Sequence, residues 1–280
     1  MHDVTTGRDV DALSGRNELS LLGGQVSVPF PSPVADASRA TGPREWRRAQ
    51  ITYRDAAAVK RLVGLEDADA HDILEGFPIR KSNSNRRQRS MIGERWVEKT
   101  GALIPVESMN ERRFVITADF DPMVLRIVAQ PFRFRVAPGR PSHVPDFLTL
   151  RRDGTIRVVN VRPVEQFDAR EQERMHSFAS AIATLGWEHA MWHDLPLAVF
   201  QNLDWLSRMN VPGAAHPMAL EAAQRLWNYD CYGSLEEKMK TDVPREWVRP
   251  AIDRLIWEHV FDVDLRMPLD VHSVLHRRTS

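Results

Sequence analysis

The stretch that decides the fold begins His143-Val144-Pro145-Asp146-Phe147-Leu148-Thr149-Leu150. It continues Arg151-Arg152-Asp153-Gly154 and ends Thr155-Ile156-Arg157-Val158-Val159-Asn160-Val161-Arg162-Pro163. Two runs rich in β-branched and large apolar residues flank Asp153-Gly154, a dipeptide suited to the positive φ of a tight turn, so the stretch predicts a β-hairpin. Asn160 and Arg162 lie two apart on the second strand and share a face of it. The turn between Asp146 and Asn160 blocks any such argument for that pair.

Around the hairpin the composition is that of an ordinary globular protein. The 280 residues suffice for one large domain or two, with 42% hydrophobic and 27% charged residues. Lys plus Arg equals Asp plus Glu at 38 each, so no overall basicity points to nucleic acid. A neutral total is still compatible with a local basic track offset by an acidic site. The one cysteine, Cys231, cannot form an internal disulfide and fits a reducing compartment. No run approaches the ~18 apolar residues of a membrane span, and the first residues do not open a signal peptide. The expectation is a cytoplasmic protein without membrane contact.

Residues 1–43, with Val28-Pro29-Phe30-Pro31-Ser32-Pro33, read as a flexible arm. Residues 44–210 read as an α/β domain and 211–280 as a helical one. Asp55 to Leu65 predicts a short helix. Between residues 80 and 95 six basic residues face one acid, Glu94. Arg86, Arg87 and Arg89 there are either a solvated loop or a phosphate-contacting track. A helix is expected at about 108–119 and strands near 124–129, 132–136, 144–150 and 156–162. Asp168 to Leu185 predicts an amphipathic helix, with Met175, Phe178, Ala179, Ile182 and Leu185 at helical spacing. Gly186 stops it and Trp187 to Trp192 returns as a strand, which indicates a mixed sheet rather than a doubly wound one. Helices are expected at 217–231, 234–241 and 245–260.

An ordered set of short motifs runs from Gly76 to Trp205. Glu107-Ser108-Met109-Asn110-Glu111-Arg112-Arg113-Phe114 is followed by Asp119-Phe120-Asp121-Pro122 and Gln130-Pro131-Phe132. Pro145-Asp146-Phe147-Leu148, Val161-Arg162-Pro163 and Asn202-Leu203-Asp204-Trp205-Leu206 complete it. In this order and spacing the chain resembles the TnsA-like endonuclease subunit of heteromeric transposases, which has a restriction-endonuclease-like fold. The segment Ile256 to Leu265, before Pro268-Leu269, is similar to that family's C-terminal end, and the resemblance implies a winged-helix-like domain there. It also implies double-stranded DNA at transposon ends as substrate, Mg²⁺ with Mn²⁺ as substitute, a DDE-type (TnsB-like) transposase partner and a TnsC-like ATPase regulator.

Phosphodiester hydrolysis needs an activated water and a way to spread charge on the phosphate, and carboxylates supply both by holding divalent cations. The resemblance implies that Glu111, Asp146 and Asn160 converge on metal and that Arg162 contacts water or phosphate. His143, just before the Pro145-Asp146 pair, is expected to wall the site and to join Arg86, Arg87 and Arg89 in contacting DNA. Each has a plainer reading beside it. Ser108-Met109-Asn110-Glu111 is also a capping box, and Asp146 is an acid that could sit in any loop. Asn160 and Arg162 depart from the commoner acid or amide followed by Lys: an amide carries no charge, and arginine is a poor proton acceptor. A catalytically weakened or inactive nuclease-fold adaptor that binds DNA and bridges the partner transposase and the ATPase regulator is therefore the rival expectation. His189 and His193 lack the acid that a helical zinc motif would need, and neither G-x-G-x-x-G nor a Walker sequence occurs.

Overall fold

The computed structural model describes residues 45–80, 93–162 and 169–278, and these form a mixed α/β protein. The chain opens with β1 (Gln50–Arg54), β2 (Lys60–Gly64) and α1 (Ala70–Leu74). A hairpin of β3 (Gly93–Val97) and β4 (Ala102–Val106) leads into α2 (Met109–Phe120). Then come β5 (Val124–Ala129), β6 (Phe132–Arg135), β7 (Ser142–His143), β8 (Phe147–Arg151) and β9 (Ile156–Val161). After α3 (Ala169–Ala183), β10 (Glu188–Trp192) and α4 (Leu197–Leu206), the chain ends in α5 (Pro217–Leu226), α6 (Tyr232–Met239), α7 (Arg245–Trp257) and the short strands β11 (Phe261–Asp262) and β12 (His276–Arg277).

The predicted hairpin is β8–β9. Gly154 takes φ +83° at its tip, and Asp153 caps the turn by accepting from the Thr155 amide at 3.0 Å. The central sheet has the order β10-β9-β8-β5. β5, β8 and β9 run antiparallel in turn, whereas β10 is parallel to β9. A parallel neighbour requires a crossover, and the segment carrying α3 supplies it. Strand alternation sends Ile127, Phe147 and Val159 to the core that holds α2, and Val128, Leu148 and Val158 to the core that holds Phe178 and Ile182 of α3. A second, antiparallel sheet of order β2-β1-β6-β7 closes that latter core with Ile51, Tyr53, Phe132 and Phe134.

All of Phe114 to Phe120 is buried, so the last two turns of α2 show no solvent stripe. It lies between the sheet and the C-terminal helices. Phe114 meets Phe147 at 4.8 Å and Trp192 at 5.8 Å, while Phe120 meets Trp257 of α7 at 5.2 Å and the His259 ring at 4.4 Å. The three expected C-terminal helices form, and their apolar faces belong to the same core as α2. Among the described residues no helix is long and apolar enough to cross a membrane.

The run Asp55 to Leu65 is not the expected helix but a turn followed by β2. Asp55 Oδ1 accepts from the amides of Ala57 and Val59, and Ala58 takes φ +60°. A side chain that captures two amides outcompetes a helix too short to nucleate, and β1 then offers every residue of β2 a partner. The arm 1–43 and Arg86, Arg87 and Arg89 lie outside the described residues.

Replacing Phe120 by Ala removes the ring that joins α2 to α7. It should cost about 3–5 kcal/mol, and chemical denaturation followed by far-UV and Trp signals should shift together. Separate transitions for the two signals would contradict a shared core.

Candidate functional site

Asp146 is positioned by backbone on both sides. Its amide donates to Val159 O at 3.1 Å, and its carbonyl accepts from Gln130 N at 2.7 Å. Gln130 holds φ +46°, a left-handed conformation that non-glycine residues seldom adopt, and its carbonyl in turn accepts from Ile79 N. The side chain of Asp146 therefore meets the end of β9. Oδ2 accepts from Val161 N at 2.7 Å and from Arg162 Nη1 at 3.3 Å. Burial pushes the Asp146 carboxyl above the usual carboxylate range, against the pull of the Arg162 charge and the Val161 amide. Among the described residues Oδ1 accepts no hydrogen bond.

Glu111 occupies the third position of α2. Its amide donates to the Ser108 hydroxyl at 3.1 Å; its own Oε2 accepts from the Glu107 amide at 2.8 Å, and Oε1 from the Ser108 hydroxyl at 3.3 Å. This is the capping arrangement read from the sequence, with the reciprocal bond made one residue earlier, to Glu107. Burial nevertheless raises the Glu111 carboxyl to about 7, and the neighbouring charge of Asp146 adds to the rise. Capping and proximity to Asp146 thus coexist. Arg80 pairs with Glu107 at 2.5 Å, and its charge also steadies ionised Asp146. Glu111, Asp146, Arg162, Arg80 and Glu107 form one charged cluster where α2 begins and β8 enters the sheet.

Asn160 is not brought to these carboxylates. It is fully buried, and its amide lies between two imidazoles. Asn160 Nδ2 reaches His143 Nε2 at 3.1 Å and Oδ1 reaches His189 Nε2 at 3.0 Å, while both rings pack edge-on against Phe178 of α3. The amide's donor meets an acceptor nitrogen and its acceptor meets a donor nitrogen, so the chain is satisfied if His143 carries its proton on Nδ1 and His189 on Nε2. Burial lowers both imidazoles from 6.5 to about 4. His143 accordingly belongs to the support of β9.

Glu111 and Asp146 suit a hard cation. They are two oxygen donors whose charges repel in a buried place, and Mg²⁺ is commonly held by one or two carboxylates with water and substrate phosphate completing its shell. Asn160, occupied by the histidines, does not fit as a third ligand. Among the described residues no three His, Cys, Asp or Glu side chains gather as a metal cage. Sequence reasoning missed Glu107 and the positioning conformation of Gln130. It also missed the pairing of His143 with His189, for which strand parity was the one available signal. No protein-family model matches the chain, and no curated protein matches it.

The buried histidines give a pH prediction. Their folded pKa lies below the unfolded value, so the unfolded chain binds protons that the folded one lacks between pH 6.5 and about 4. They therefore reduce stability as pH falls through that window, by about 1.4 kcal/mol per pH unit and histidine. Asn160→Asp places a carboxylate beside both rings and favours the imidazolium. The variant should be less stable than wild type at pH 7.5, and the gap should narrow by pH 5 in denaturant titrations. Glu111 and Asp119, raised in both proteins, cancel in the difference. A gap independent of pH would contradict this arrangement.

Proposed function

We propose that this chain is the metal-dependent DNA endonuclease subunit of a heteromeric transposase, hydrolysing a phosphodiester at the transposon end. The observation that carries the reading is the meeting of Glu111, from the start of α2, with Asp146, from the head of β8. The order helix, three antiparallel strands, helix, parallel strand supports a restriction-endonuclease-like core. Three C-terminal helices with the β11–β12 ladder support the winged-helix-like reading of residues 211–280.

Glu111 and Asp146 would hold Mg²⁺, which would supply a water of lowered pKa and neutralise charge on the phosphate. The chain's own part is to hold two buried carboxylates close enough that the charge of Asp146 raises the proton affinity of Glu111. The Gln130 and Val159 backbone bonds fix Asp146, and the Ser108 and Glu107 contacts fix Glu111. Arg162 Nη1 donates to the Val161 carbonyl at 2.8 Å and to Asp146 at 3.3 Å, which leaves the donors on Nε and Nη2 for a phosphate oxygen. It acts as a fixed cation and not as a base. A DDE-type transposase that recognises the ends and an ATPase regulator complete the proposed assembly.

Two observations favour the rival adaptor reading: Asn160 is withdrawn from the carboxylates, and Arg162 already contacts Asp146. The test is nicking of an end duplex by the subunit with its partner transposase in Mg²⁺ or Mn²⁺. Wild type should nick only with metal, and Asp146→Ala should lower the rate by at least about a hundredfold. Equal nicking by Asp146→Ala would move the chemistry to the partner and leave the adaptor.

A further inference from the structure

The antiparallel sheet β2-β1-β6-β7 has one face in the core and one turned outward. Ile51, Tyr53, Phe132 and Phe134 are buried, so the alternate residues share the outer face. Register places Arg133 opposite Thr52, Arg135 opposite Gln50 and Ser142, and Lys60 opposite Arg54. Four cations, Arg54, Lys60, Arg133 and Arg135, thus stand on neighbouring strands about 4.8 Å apart, with side chains repeating about every 6.8 Å along each strand. None has an ion-pair partner among the described residues, and the Nε atoms of Arg54 and Arg135 are themselves buried without a hydrogen-bond partner, so only the guanidinium ends of these side chains are offered outward. The strand residues of this face include no carboxylate, and the one acid found against it among the described residues is Asp67, whose carboxylate lies over Gly64 at the far end of β2 from Lys60.

An unpaired cationic lattice on a sheet is costly in self-repulsion unless something anionic covers it. We propose that this face binds the phosphate backbone of duplex DNA, without reading sequence. Gln50, Thr52 and Ser142 between the cations supply neutral donors for phosphate oxygens, the mixture that positions a duplex without base contacts. A lipid surface fits less well, because Leu62 is the one exposed large apolar side chain on these strands' outer face. The face also adjoins the site along the chain: β7 ends at His143, three residues before Asp146. Only the choice of duplex DNA over another polyanion rests on the nuclease reading.

The test is equilibrium binding of the whole chain to a fluorescent random-sequence duplex in EDTA, where cleavage is silent, over a range of salt. Each lost phosphate contact lowers the log–log salt slope by about 0.9. Arg133→Ala with Arg135→Ala should lower it by about 1.8, equally for unrelated sequences, whereas Arg133→Lys with Arg135→Lys should retain it. Lys60→Ala, at an exposed position that cannot disturb packing, should lower it by about 0.9 and keeps the test open if the double variant does not fold. An unchanged slope in these variants, no duplex binding by wild type, or tighter binding to phosphatidylserine vesicles than to DNA would overturn the proposal. Loss of slope in a protein that never nicks with metal would leave this surface standing and remove the nuclease reading alone.

Discussion

The Val161 amide to Asp146 carboxylate bond, 2.7 Å long, is the constraint on which the site depends. It joins the head of β8 to the end of β9, so the acid is aimed by the sheet itself and not by a mobile loop. A buried carboxylate that accepts only from an amide and one arginine is costly to hold ionised, which is why its proton affinity rises. Gln130 contributes from the other side, taking a left-handed backbone conformation so that its amide can reach the Asp146 carbonyl.

Helix α2 brings the second carboxylate and also ties the molecule together. Its first turn presents Glu111, while its last turn is locked by partners from the C-terminal part and from the β3–β4 turn. His259 bonds the Phe120 carbonyl at 2.7 Å, Asn210 bonds Asp119, and Lys99 bonds the Asp121 carbonyl. Burial of this polar set is evident in Lys99, lowered to about 8, and Asp119, raised to about 6. A helix fixed so firmly at its far end can hold a strained charge pair at its near end.

Much of this was legible in the sequence because its signals were local. The Asp153-Gly154 turn, the α3 stripe ending at Gly186, and the Ser108–Glu111 cap each follow from neighbours in the chain. Two kinds of feature were not legible. Asp55 to Leu65 has an apolar pattern that a helix could use, and only the Asp55 side chain together with pairing to β1 makes it a strand. Asn160 and Arg162 share a strand, yet the amide is occupied by His143 and His189, which lie 17 residues before it and 29 after it. The cationic outer face of β1, β2 and β6 was likewise hidden, because Arg54, Lys60 and Arg133 become neighbours only through antiparallel register.

The central claim is that Glu111 and Asp146 share one cation. Titration of the isolated chain with Mn²⁺, followed by the loss of the free-ion electron paramagnetic resonance signal, tests it most directly. One ion should bind per chain, with binding lost in Asp146→Ala and weakened at least tenfold, about 1.4 kcal/mol, in Glu111→Gln. Binding undiminished in both variants would contradict it.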